Sequence, residues 1–190
     1  YAYELVVTDA NQCSFFTNIV LTQPDSALYA STVVSEFGDA NTSCSDATDG
    51  SILLSVGGGN GSYTYAWQGP GGFTSASQNL SDLIAGTYTV TVTDLNGCDL
   101  VDVVTLVAPD PLTIAITPLT YAGGTNISCH GADDGQLTAT VSGGTPTYTI
   151  SWSGPDGFSA STALINGLAP GTYCLSATDL NGCSTQACFT

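Results

Sequence analysis

Seven cysteines are the residues of this chain best suited to chemistry, against a single histidine, His130. Zinc chemistry lacks its materials, because no Cys-x-x-Cys pair and no second imidazole are present. Disulfide formation remains. Cys44 and Cys98 recur as Cys129 and Cys183 at a fixed offset of 85 residues. The recurrence predicts one bridge inside each copy, Cys44–Cys98 and Cys129–Cys183, with the second cysteine of each pair pointing to its core. Cys13 occupies the Cys98 position, so its partner is expected upstream of residue 1. Cys174 and Cys188 stand where the preceding copy has Thr89 and Val103. They flank the Asn181-Gly182 turn symmetrically, which predicts a bridge between adjacent antiparallel strands. Such bridges imply an oxidising compartment, and hence an extracellular or cell-surface location.

Other side chains offer less. Asp46, Asp49, Asp133 and Asp134 follow the first cysteine of each copy. They are the carboxylates a weak calcium site would use, and Asp-Gly turn chemistry is the competing use. No other cofactor is expected. The run Trp67 to Phe73, and its copy from Trp152, is read either as a sugar-stacking loop or as a core tryptophan followed by a Gly-Pro turn. His130 reads as a surface residue beside Cys129. Ser45 stands at its position in the other copy, so no Ser-His-Asp set recurs. Asp94 and Asp179 read as side chains that cap a hairpin. No catalytic set emerges, and the chain is expected not to be an enzyme.

Composition narrows the partners. The chain has 190 residues, 16 of them acidic and none lysine or arginine, for a net charge of −16. Nucleic-acid binding by phosphate neutralisation needs the missing cations, as does a basic membrane-surface helix. Lysine isopeptide and Schiff-base chemistry are excluded with them. A hydrophobic fraction of 43% argues against disorder. No apolar run approaches a membrane span. Without methionine or a leader-like start, the sequence reads as an excerpt.

The elements that must position these residues follow the same offset. Gly50, Trp67, Phe73, Tyr88 and Asp94 recur as Gly135, Trp152, Phe158, Tyr173 and Asp179; Tyr3, Asp9 and Cys13 fit the frame one copy earlier. Residues 1–25 are therefore expected to be the C-terminal part of a preceding repeat, 26–110 a complete repeat, and 111–190 a second repeat lacking its last few residues. A unit of this size can own a small core, so the copies read as beads and not as solenoid coils. Strands are expected at 27–34, 51–56, 62–68, 77–80, 87–94 and 98–107, all short, rich in Val, Thr, Tyr and Ile, and broken by Gly, Pro, Asn and Asp. The fold class is all-β: tandem immunoglobulin-like β-sandwiches, with Trp67 in the core and Tyr88 as a tyrosine corner. Asn96-Gly97 is expected to supply the positive-φ residues of a tight hairpin. The proline-containing junctions at 22–25 and 107–111 read as stiff links, so the beads should form a rod.

The run Cys44…Asp49-Gly50…Tyr65-Ala66-Trp67…Gly69-Pro70…Gly72-Phe73…Gly86-Thr87-Tyr88…Asp94…Asn96-Gly97-Cys98, repeated from Cys129 to Cys183, resembles the SprB repeat. The resemblance implies very large, repetitive cell-surface proteins of Bacteroidota, exported by the type IX system, some of them mobile adhesins of gliding motility. It implies a structural or adhesive module of a long extracellular filament. Its partners would be neighbouring repeats, other copies of the protein, or surface glycans. Other roles set beside this one are a glycan- or calcium-binding module acting by avidity and a spacer attached to a secreted enzyme. Asp25-Ser26-Ala27 resembles the O-glycosylation motif of the same bacteria, with Ser26 as acceptor. Asn41, Asn60, Asn79 and Asn126 begin N-x-S/T sequons that read as chance.

Overall fold

The computed structural model describes residues 2–190. A two-stranded ribbon comes first, β1 (Ala2–Thr8) against β2 (Ser14–Val20). Seven strands follow: β3 (Tyr29–Val34), β4 (Gly50–Gly57), β5 (Thr64–Gln68), β6 (Thr74–Ser75), β7 (Leu80–Leu83), β8 (Gly86–Thr93) and β9 (Asp99–Leu106). A second set repeats their order: β10 (Thr113–Pro118), β11 (Gly135–Ser142), β12 (Thr149–Ser153), β13 (Ser159–Ala160), β14 (Leu164–Leu168), β15 (Tyr173–Thr178) and β16 (Ser184–Phe189). In the first unit β3-β4-β7 form one sheet and β6-β5-β8-β9 the other. In the second, β10-β11-β14 face β13-β12-β15-β16. All pairings are antiparallel. The chain is all-β, as its alternating Thr and aliphatic residues require.

Each sandwich closes on its own apolar cluster. In the first, Ile52, Leu54, Leu80 and Leu83 of one sheet pack on Trp67, Tyr88, Val90, Val92, Val104 and Leu106 of the other. Tyr88, Val90 and Val92 are buried, while the threonines between them lie toward the other face. That is the period-2 alternation read from the sequence. The second cluster holds Leu137, Trp152, Ile165, Leu168, Tyr173 and Leu175. Tyr88 Oη donates to Ile84 O at 2.9 Å and Tyr173 Oη to Ala169 O at 3.1 Å. This is the corner geometry expected from Gly-Thr-Tyr. Burial pushes both phenols up from their ordinary pKa.

Two expectations shift. The strand placed at 77–80 begins only at Leu80. Residues 77–79 cross between the sheets, and their side chains complete β4 instead. Gln78 Nε2 donates to Leu54 O at 2.7 Å, and Asn79 Oδ1 accepts from Leu54 N at 3.0 Å. A buried peptide group must be paired by something, and here amides replace a strand. The hairpin after β8 takes positive φ at Gly97 alone, not at Asn96. Gly97 N bonds to Asp94 O and Asp94 N to Cys98 O. The connection is therefore a three-residue loop with a glycine bulge.

The β1–β2 ribbon has the pattern of β8–β9 but stands open. Tyr3 and Val7 are each 54% exposed, whereas their counterparts Tyr88 and Val92 are buried.

In the second unit Cys174 and Cys188 face each other across β15 and β16 and are bonded. The bridge spans 14 residues. Opening it with Cys174→Ser/Cys188→Ser should lower that unit's stability by up to about 3 kcal/mol on the loop-entropy model. Urea melts of the double variant read this directly, and an unchanged midpoint would show that the hairpin needs no staple.

Candidate functional site

The place where chemistry and geometry converge is the junction between the two sandwiches. Its first component is a turn that occurs three times. Asp94 Oδ1 accepts from the backbone N–H of Asn96 and of Cys98, both at 2.9 Å. Asp179 does the same for Asn181 (3.0 Å) and Cys183 (2.9 Å), and Asp9 for Asn11 and Cys13. One carboxylate thereby fixes the backbone of a cysteine four residues later. The second Asp94 oxygen accepts from Asn60 N at 3.0 Å, and that of Asp179 from Thr145 N at 2.8 Å. The cysteine is thus held at the end of its sandwich, beside the turn after β4 or β11.

The backbone N–H of Cys98, then those of Asn60 and Asn96, hold the Asp94 carboxyl below its ordinary pKa. A depressed folded-state pKa means stability present above the unfolded value of about 3.9 and lost as pH falls through the folded value. Asp94→Asn should therefore weaken the first unit at neutral pH while flattening its loss of stability in strong acid. Thermal melts from pH 7 to pH 2 check both. Parallel curves for variant and parent would remove Asp94 from the acid response.

The second component is the loop before β4. Ser43 N donates to Asp49 Oδ1 at 3.0 Å, and Ser43 is the main cause of that carboxyl's lowered pKa. Asn41 Nδ2 donates to Ser35 O, and Asn41 Oδ1 accepts from Val107 N at 2.8 Å. Thr42, fully buried, donates to Cys44 O. In the second unit Ser128 N donates to Asp134 Oδ1 at 3.1 Å, and Ser128 is the main cause of that carboxyl's lowered pKa.

These two components meet across the junction. Cys44 is bonded to Cys183, with S–S 2.07 Å, Cα–Cα 5.7 Å and a separation of 139 residues. Asn181 Nδ2 reaches Thr145 Oγ1 at 2.9 Å and Ser43 O at 3.4 Å. The link between units is pinned as well, with Asn41 N on Val107 O and Gly144 N on Asp110 O, both at 2.7 Å. A Cβ at Gly143, whose φ is +77°, would sit 2.0 Å from Pro111 O. Glycine is required there.

The pairing differs from the expected Cys44–Cys98 and Cys129–Cys183. Cys98 and Cys129 are free and exposed, as is Cys13. The reason is length. Cys44 lies at the end of the sandwich where Val107 follows β9, while Cys98 precedes β9 at the opposite end. Eight residues of strand separate those ends by roughly 25 Å, and a disulfide needs Cα atoms within about 7 Å. Cys183 accordingly points out of its sandwich toward the neighbouring unit and not into its own core.

The remaining candidates disperse. Asp49 and Asp134 tie their own loops, while Asp46 and Asp133 are exposed. Among the described residues no group of three His, Cys, Asp or Glu side chains could hold a metal ion. Trp67 and Trp152 are buried, each donating Nε1–H at 3.0 Å, to Ser77 O and Thr162 O. Their rings are core, and Phe73 and Phe158 pack edge-on against Tyr88 and Tyr173. His130 is exposed on the rim of a cavity of about 560 Å³ that also touches Leu137, Tyr173 and Phe189. Ser26 is exposed, its carbonyl accepting from Gly59 N. The sequence reading missed Asn41, Ser43, Thr145 and Asn181 as junction residues. Asn41, Ser43 and Asn181 recur at the 85-residue offset as Asn126, Ser128 and Asn96, while Thr145 stands where the first copy has Asn60; recurrence alone does not mark a residue as belonging to the junction.

The family model described as SprB repeat matches residues 40–72 and 124–157. Each match spans the loop with the first cysteine, the buried tryptophan and the Gly-Pro turn. No curated protein matches the chain.

Proposed function

From two SprB repeats in one chain, we propose a non-catalytic structural and adhesive module of a long extracellular filament. SprB repeats point to modules of cell-surface, adhesin-like proteins. The finer reading is a tandem array of 85-residue, immunoglobulin-like beads, exported and displayed outside the cell, with gliding motility as one setting. The three-plus-four strand order of each sandwich favours the immunoglobulin-like plan.

The observation that carries the proposal is the Cys44–Cys183 bridge. It joins two beads that already own separate cores. Its work is therefore at the joint, where a filament bears load. The pinned linker serves the same end, holding neighbouring beads in one orientation. Immunogold labelling of intact cells tests the reading. Label along fibres with axially repeating beads is expected, and label that requires permeabilised cells would overturn it.

The charge has a measurable consequence. With 16 acidic residues and no lysine or arginine, every long-range Coulomb term between fixed side-chain charges is repulsive at neutral pH. Raising ionic strength from about 0.01 M to 0.15 M shortens the screening length from about 30 Å to about 8 Å. The melting temperature should rise over that range, without any salt-bridge loss to offset it. A fall with added salt, followed by scanning calorimetry, would contradict this picture.

A further inference from the structure

The three free cysteines form a pattern. If each bridge closed within a unit, Cys44, Cys98, Cys129 and Cys183 would all be consumed and Cys13 alone left. If the first cysteine of each unit instead bonds the second cysteine of the unit after it, Cys44 takes Cys183. Cys13, Cys98 and Cys129 are then left over, because their partners belong to neighbouring units. The structure shows the second set.

We propose that Cys98 and Cys129 are the two half-sites of further bridges of the Cys44–Cys183 kind, so that successive units are stapled one to the next in a disulfide ladder. The partner is another unit of this repeat in tandem. Its second cysteine meets Cys129, and the first cysteine of the unit before meets Cys98.

Both half-sites are built like the closed one. The N–H of Cys98 is held by Asp94 as that of Cys183 is held by Asp179, each at 2.9 Å. The Cys129 loop carries the Ser128–Asp134 tie that matches Ser43–Asp49. Ser128 Oγ lies 3.7 Å from Cys129 Sγ, the distance between Ser43 Oγ and Cys44 Sγ. The thiols are exposed at opposite ends of the two-unit body, Cys98 before β9 and Cys129 in the loop before β11. Each therefore faces outward along the direction in which the known bridge links units. Closing one bridge converts two thiols to one disulfide and releases two protons and two electrons. A disulfide-bonded oxidoreductase accepts them in the cell; in vitro, oxidised glutathione does so and leaves as two reduced glutathiones.

The inference rests on the tandem-array reading, and its test uses no cells, so the two can fail separately. The chain is extended by joining after Thr190 a copy of residues 106–190 that carries Cys129→Ser, so that Cys129 occurs only once, and is oxidised with a glutathione pair. Native thiols are alkylated, and the protein is digested without reduction by a protease that cuts after acidic residues. Trypsin is useless here, since lysine and arginine are absent. Mass spectrometry is expected to find Cys129 joined to the Cys183 of the added copy, Cys44–Cys183 retained, and alkylated Cys98. An alkylated Cys129, or a Cys129–Cys183 link within one unit, would overturn the ladder. The unextended chain gives a second measurement. Native alkylation should label Cys13, Cys98 and Cys129 and spare Cys44 and Cys183. A Cys44–Cys98 peptide would overturn the pairing rule itself.

Discussion

Pulling a single oxidised chain by its ends should release far less length than its residue count allows, and reduction should restore the difference. The Cys44–Cys183 bridge encloses 139 residues whose bonded Cα atoms stand 5.7 Å apart. While it is closed, force passes through the bridge, and the enclosed residues cannot extend however many strands open. At about 3.4 Å per residue, breaking it frees roughly 470 Å. Cys44→Ser should free about 50 Å less than full reduction, since the Cys174–Cys188 loop of 14 residues stays closed. Force–extension curves with and without reductant make the comparison. Identical curves would mean that the junction is not covalently closed in solution. In a ladder the same logic repeats at every joint. The only backbone left to stretch is then the short segment between each unit's second cysteine and the next unit's first, as from Cys98 to Cys129.

Trp67→Ala should be the most damaging single substitution in the first unit. The ring is 1% exposed at the centre of the core, and its Nε1–H satisfies Ser77 O. Large aromatic truncations in such sites cost about 3–5 kcal/mol, and the orphaned carbonyl adds to that. The effect should be confined. No buried residue is shared between the two clusters, so calorimetry should show the first unit's transition lowered and the second unit's nearly unmoved. Trp152→Ala should give the mirror image. A single transition moved equally by either variant would show that the sandwiches melt as one body.

The contrast between Tyr88 and Cys98 shows which kind of information a sequence holds. Tyr88 was legible because strand alternation and a Gly-Thr-Tyr signal are local: they fix which face a residue takes and what its hydroxyl can reach four residues back. The repeat offset, the all-β class, the core tryptophans and the Asp caps are legible for the same reason. Composition alone likewise removed lysine isopeptide and Schiff-base chemistry and phosphate neutralisation by lysine or arginine. Strand 77–80 was misplaced because the sheet edge it should have formed is completed by Gln78 and Asn79 side chains, and amide-for-strand substitution leaves no periodic trace.

The cysteine pairing was beyond the sequence for a stronger reason. An offset that maps Cys44 to Cys129 and Cys98 to Cys183 is equally consistent with bridges inside a unit and bridges between units. Periodicity says which residues are equivalent, not which are adjacent. Only the folded length of β9, which sets Cys44 and Cys98 at opposite ends of one sandwich, and the end-to-end stacking that brings Cys183 to Cys44, decide between them.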